Sequence, residues 1–365
     1  MLLVLLCAIS VITILIVGQK SQTKLLYPDG DARIVPQKRF LYGVIIVLVL
    51  VSTVRYGFID TYAYKIMYTS SRNNLEYVNS APWGVEAGWL YFLYILNFIS
   101  SSPKLMLFIV AMFVNLAYIK MCSKYSADVL FSIFIYFCIG YMDTNNGLRQ
   151  CFAASLCMLA TPLAINRKYI PYAIIVAIAS IFHKSAIYVL VIMLVAIGKP
   201  INIKVILLLI ALLVFAFIPN TVSKFLADNI INDKYSDYAT KTVGMGIMRC
   251  IIIGVIPMVL SIVYTAKSKK SGVNISREES ILINLTIING VLYLMGLYMQ
   301  YWARLAFYTS FAPIVLMPKL MREVIDKKGY MSLKIFAGIL YFIFFAYNIY
   351  VNIQYGAIAD FYIDL

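Results

Sequence analysis

The chain has 365 residues, of which 62% are hydrophobic and only 13% charged, with a mean hydropathy of +0.87. A soluble globular chain is about half apolar and about a quarter charged, so residues 1–365 are expected to form a single transmembrane domain, all-α and polytopic. The net charge of +15 does not indicate nucleic acid, because the basic residues stand in short loops between apolar runs, where they act as orientation signals.

In chain order, residues 1–18 form an apolar run with no basic residue before it and several after it, which reads as a first span with its N-terminus outside, not a cleaved signal. Residues 40–54 return to the external face. Residues 55–103 are tyrosine-rich and half polar, and the apolar stretch after Glu86 falls short of the ~20 residues a span needs. This segment is expected to be re-entrant or interfacial on the external side. Further spans are expected near 104–120, 128–142, 149–165, 169–183, 185–198, 204–219, 247–265, 280–299, 304–318 and 334–352, about twelve in all with the first two. The intervening cytoplasmic loops hold the larger share of the 31 Lys and Arg residues, among them Lys267, Lys269, Lys270 and Arg277. A second external loop is expected at 220–246, with KFLADNII as a short interfacial helix. Both termini come out external.

Six cysteines without a CxxC pair indicate neither a zinc site nor a disulfide framework, and one histidine excludes a multi-histidine metal centre. No cofactor or metal is expected. The common soluble catalytic signatures, such as GxxxxGK[ST], HExxH and GxSxG, are missing.

The stretch 143–183 organises the rest. It holds two apolar segments with Arg149 at the start of the first, the only histidine, His183, at the end of the second, and Arg167–Lys168 at the turn between them. If the chain passes inward and then outward, Arg149 and His183 meet at the external face. Ionisable groups beside a hydrocarbon core are costly, so each is a functional-site hypothesis. On this topology the same face also collects Arg55, Asp60, Glu86, Lys184, Arg249 and Arg304, with Tyr64 and Tyr308 among its tyrosines. Guanidinium groups suit bidentate binding of phosphate oxygens, and tyrosine suits sugar rings, so the natural ligand is a lipid diphosphate carrying a glycan. The plainer reading is that the arginines and Lys184 snorkel from helix ends, that Asp60 and Glu86 are solvated loop acids, that His183 is a satisfied helix-end histidine, and that the tyrosines form an interfacial belt.

The stretches RYGFIDTYAY at 55–64, Glu86-Ala-Gly, NGLRQCFAASL at 146–156, IFHKSAI at 181–187 and YWARLAFY at 301–308 together resemble the EpsG-type, Wzy-like polysaccharide polymerases. The resemblance implies a GT-C-like membrane glycosyltransferase without a metal. Such an enzyme joins polyprenyl (undecaprenyl) diphosphate-linked oligosaccharide repeat units into O-antigen, capsule or exopolysaccharide on the external or periplasmic face of a bacterial plasma (inner) membrane. Carried over by residue, it implies that Arg149 and Arg304 contact the diphosphate, that His183 is a general base or orienting group, and that Arg55, Asp60 and Glu86 line the sugar region, with Tyr64, Lys184, Arg249 and Tyr308 as further substrate contacts. Glu86 or Asp60 stays open as the base in place of His183. Arg149, Arg249 and Arg304 lack the R-x10-G spacing of some O-antigen polymerases. The implied partners are a lipid-linked glycan donor and acceptor, membrane lipid and a chain-length regulator, with no nucleic acid. A flippase for the same lipid-linked oligosaccharide is the alternative, and a membrane acyltransferase using His183 ranks third.

Overall fold

The computed structural model describes residues 2–26, 32–55, 60–217, 246–298, 300–325 and 329–354. The interfacial helix expected within 220–246 lies outside the described residues. The chain divides into two compact units. One comprises residues 1–163, 168–187 and 332–365, and the other residues 164–167 and 188–331.

The fold is that of an all-α, polytopic membrane protein. Five described helices are long and apolar enough to cross a bilayer: Lys104–Tyr125, Leu148–Ile165, Ile247–Lys270, Arg277–Met295 and Tyr330–Asn352. Shorter apolar helices lie between them.

In the first unit, α1 (Leu2–Gln19) is followed by a two-stranded antiparallel hairpin of β1 (Thr23–Leu26) and β2 (Ala32–Val35), in which Thr23 pairs with Val35. Then come α2 (Lys38–Val54), α3 (Thr61–Ser70), α4 (Leu75–Asn79) and α5 (Ala87–Asn97). They are followed by α6 (Lys104–Tyr125), α7 (Val129–Ile139), α8 (Leu148–Ile165) and α9 (Tyr169–Phe182). Helix α2 packs along α6, with Val44, Leu48, Leu107, Val110 and Val114 buried. Two buried hydroxyls of this interior are paired, as low-dielectric surroundings favour. Tyr136 Oη donates to Asn115 Oδ1 at 2.9 Å, and Tyr141 Oη donates to Leu48 O at 2.8 Å. The last helix, α16 (Tyr330–Gln354), returns to this unit from residue 332 on. Its Lys334 lies 2.7 Å from Asp128, which also caps α7 by accepting from Phe131 N at 3.2 Å.

The second unit contains α10 (Tyr188–Ala196), α11 (Ile203–Phe217), α12 (Ile247–Lys270), α13 (Arg277–Met295), α14 (Gln300–Leu305) and α15 (Phe311–Leu320). The final helix, α16 (Tyr330–Gln354), follows. Helix α13 is the axis of this unit, with Ile283, Ile287 and Val291 buried against Val205, Leu316 and Leu320. Gly254 and Gly290 let α12 cross α13 closely, since a Cβ on Gly290 would lie 2.9 Å from Gly254 O. Such small-residue crossings are how membrane helices gain van der Waals contact.

Several expected spans differ in detail. The run 304–318 is broken into α14, a 3-10 turn at Ala306–Tyr308, and α15. Pro313 accounts for the break, because it has no N–H to donate and its ring collides with the carbonyl four residues back. The run expected at 280–299 stops at Met295, where Gly296 N donates to Leu292 O at 2.9 Å. Within 55–103 the longest helix, α5, has 11 residues, which at 1.5 Å per residue is well short of a ~30 Å hydrocarbon core.

Candidate active site

Three elements of the first unit bring their ends together at the carboxylate of Glu86. Helix α8 runs out from Arg149, its second residue, and α9 runs back to His183, which caps its C-terminus in an extended conformation (φ −156°, ψ 112°). The tight turn between them places Arg167 at φ 63°, with Lys168 N donating to Leu163 O at 2.8 Å. Glu86 is the N-cap residue of α5, but its side chain makes no bond to its own helix. Instead it reaches across.

One oxygen, Oε2, accepts from Arg149 Nη1. The other, Oε1, accepts from the backbone N of Lys184 at 3.1 Å and lies 3.1 Å from His183 Nδ1. The imidazole contact is close but poorly aligned, since Nδ1 makes no well-formed hydrogen bond. Burial by itself would raise the pKa of Glu86, whose exposure is 8%. The imidazole of His183, the charge of Arg149 and the Lys184 N–H more than offset that and hold it down at about 2. Glu86 is therefore an anion throughout the physiological range.

The approach to Glu86 is strained. Ala81 (φ 43°), Trp83 (φ 53°) and Gly84 (φ 61°) adopt left-handed backbone, a conformation that costs a non-glycine residue on the order of 1–3 kcal/mol. The next glycine is needed for proximity. A Cβ on Gly88 would lie 2.1 Å from Ile181 Cγ2 and 2.6 Å from Ile181 O, so only glycine lets α5 lie directly on the end of α9. Beneath the charged groups is an aromatic floor. Trp89 meets Tyr64 edge-on at 5.7 Å, Phe92 stacks on Phe152 at 5.3 Å, and Phe182 meets Phe152 edge-on at 5.0 Å.

Tyr64, buried on α3, hydrogen-bonds Arg149. Its phenol is raised by burial, an effect that Arg149 partly offsets and Asp60 adds to. Asp60 Oδ2 accepts from Gly147 N at 3.0 Å, just ahead of α8. Arg55 is 1% exposed and lies behind this turn, bonded to Asn145. Only the backbone N of Lys184 reaches Glu86, and its side chain is exposed.

The remaining sequence-derived residues belong to the second unit. Arg304 is exposed on α14, whose close contact with the end of α13 requires Gly296, because a Cβ there would lie 2.8 Å from Ala303 Cβ. Tyr308 is buried in the following turn, which Asn289 Nδ2 holds by donating to Ala306 O and Thr309 Oγ1, each at 3.0 Å. Arg249 is half-buried and hydrogen-bonds Tyr293. Among the described residues no group of three or more His, Cys, Asp or Glu side chains gathers to hold a metal.

Sequence reasoning missed Asn145, Gly147, Thr61 and Gly88 as parts of this construction. The Asn-Asn-Gly run before α8 is a turn signal that marks the first two.

With the geometry in view, a family model is decisive, matching residues 38–361. The chain belongs to the EpsG family. EpsG proteins are a Wzy-like polymerase family, so the EpsG match implies activity of the polymerase or glycosyltransferase type, acting on lipid-linked glycans. No curated protein and no solved structure matches the chain. Within this EpsG chain, the matched range contains every residue of the Glu86 site.

Proposed function

We propose that this protein is a repeat-unit polymerase that works on the external face of a bacterial plasma membrane through about twelve spans. Its donor is a polyprenyl-diphosphate-linked oligosaccharide, and its acceptor is a hydroxyl on the terminal sugar of a second lipid-linked repeat. The observation that carries this reading is the convergence of Arg149, His183 and the Lys184 N–H on one permanently ionised carboxylate.

In the reaction, the bond between the donor's anomeric carbon and the diphosphate oxygen breaks, and the acceptor oxygen bonds that carbon. The electron pair leaves with the diphosphate, and the acceptor proton goes to His183. Glu86 faces Nδ1, so a proton is best carried on that side of the ring, and Nε2 is the nitrogen that accepts. An anionic carboxylate beside the ring also stabilises the imidazolium that forms, the role an acid plays behind a catalytic histidine. Glu86 itself, held at about 2, is a weak proton acceptor, and the Asp60 carboxylate is engaged by Gly147 N–H. Both points favour His183 as the base. Arg149 stabilises charge developing on the leaving diphosphate in a site of low dielectric. Arg304 enters through its match to the family's C-terminal arginine region.

The test is the length profile of surface glycan in a deletion strain complemented with wild type or Arg149→Ala. A single repeat unit in the deletion and the variant, with a full ladder from wild type, supports the polymerase. Absent external glycan with repeats retained inside the cell means a flippase and overturns it.

A further inference from the structure

Arg55 was expected to touch sugar, yet it is 1% exposed and its guanidinium is occupied on all sides. Nη1 donates to Ser52 O and, at 2.9 Å, to Asn145 Oδ1. Nη2 donates to Asn145 O at 3.2 Å, and Nε donates to Thr61 Oγ1 at 3.4 Å. These contacts join the end of α2, the start of α3 and the turn before α8.

The turn is held from its other side as well. Asn145 Nδ2 donates to Tyr141 O at 2.9 Å, and the Tyr141 hydroxyl lies 3.0 Å from Ser52 Oγ. Two residues after Asn145, Gly147 adopts φ 57° and donates its N–H to Asp60. Two residues further on stands Arg149. A buried network of this kind has few alternative arrangements, because each displaced polar atom would lose its partner in a dry interior.

We propose that Arg55 is a positioning residue: it fixes the 143–147 turn and so aims Arg149 at Glu86 and at the bound substrate, without contacting sugar. The planar fork explains why arginine stands here. One guanidinium bridges both the side chain and the carbonyl of Asn145 while reaching Ser52 and Thr61, and a lysine ammonium cannot span that set. The catalytic part of this inference rests on the polymerase reading, but the positioning part does not.

The test measures the rate at which phenylglyoxal modifies Arg149, read by mass spectrometry on the full-length purified protein in detergent. Wild type is compared with Arg55→Lys and with Thr61→Val, an isosteric change that removes only the hydroxyl receiving Nε. Arg304, exposed and in the other unit, is the internal control. Several-fold faster modification of Arg149 with Arg304 unchanged is the expected result for both variants. Should Arg55→Lys not fold, Thr61→Val decides alone. Unchanged reactivity of Arg149, or parallel acceleration at Arg304, overturns the proposal.

Polymerisation by the same variants, per amount of folded protein, supplies the second readout. A fall in kcat of about tenfold or more for Arg55→Lys at nearly constant KM is expected, since small misplacements of a charged group have effects of that size. A rise in KM with kcat retained would make Arg55 a sugar contact. If wild type makes no polymer while Arg149 still responds to Arg55, the polymerase reading fails and the positioning role stands.

Discussion

The carboxylate of Glu86 sets the electrostatics of the site. Its pKa, lowered from 4.5 to about 2, means that the favourable contacts are fully present above about 4.5 and are lost as pH falls towards 2. The Glu86→Gln protein is therefore expected to be less stable than wild type at pH 7, by on the order of 3 kcal/mol, with the difference shrinking below pH 4. Thermal unfolding across pH checks this, and a gap that stays constant in acid would contradict it. His183→Gln tests a different role. It keeps Glu86 and Arg149 together but removes the proton acceptor, so turnover should drop at least a hundredfold, within the range for general-base removal, while the melting temperature falls less than in Glu86→Gln because Arg149 and the Lys184 N–H still hold the carboxylate. Arg149, His183 and Glu86 were legible in the sequence because ionisable residues at the ends of apolar runs stand out. Thr61 was not, and Asn145 was marked only as part of a turn. Neutral polar residues are common in loops, and their importance comes from a buried guanidinium whose direction no sequence pattern encodes.

At the scale of elements, the site depends on how closely α5 approaches α9. Gly88→Ala would place a methyl group 2.1 Å from Ile181 Cγ2 and 2.6 Å from its carbonyl oxygen. The carbonyl cannot yield as a side chain can, so α5 must move away and carry Glu86 with it. The expected outcome is a loss of stability of about 1–3 kcal/mol together with loss of the glycan ladder, measured by melting temperature and by gel profile. A ladder of normal length would show that the close packing is dispensable. The apolar runs predicted where most helices lie, but not their breaks. Hydropathy averages over a window, whereas the break at 306–310 depends on the missing donor of a single residue, Pro313.

For the whole molecule, hydropathy and charge identified a polytopic helical membrane protein, and the proposed orientation can be measured directly. All six cysteines are buried, so a membrane-impermeant maleimide meets little background. Glu76→Cys, at an exposed position on α4, should be labelled in intact cells. Val273→Cys, exposed in the loop after α12, should be labelled only after permeabilisation. The reverse pattern would invert the topology and place the Glu86 site inside. Composition could not reveal the division into two units, because their boundary follows packing between residues remote in sequence.

The ion pair between Asp128 and Lys334 joins residues 206 positions apart, and it sets the order in which the molecule can be completed. At ~5–20 residues per second, the cation follows the acid out of the ribosome by roughly 10–40 s. Throughout that interval the first unit lacks both Lys334 and Phe345, whose ring otherwise lies 4.8 Å from that of Phe137. The unit that begins first therefore finishes last. A chain halted anywhere before α16 presents an acid and an aromatic face that the finished protein covers.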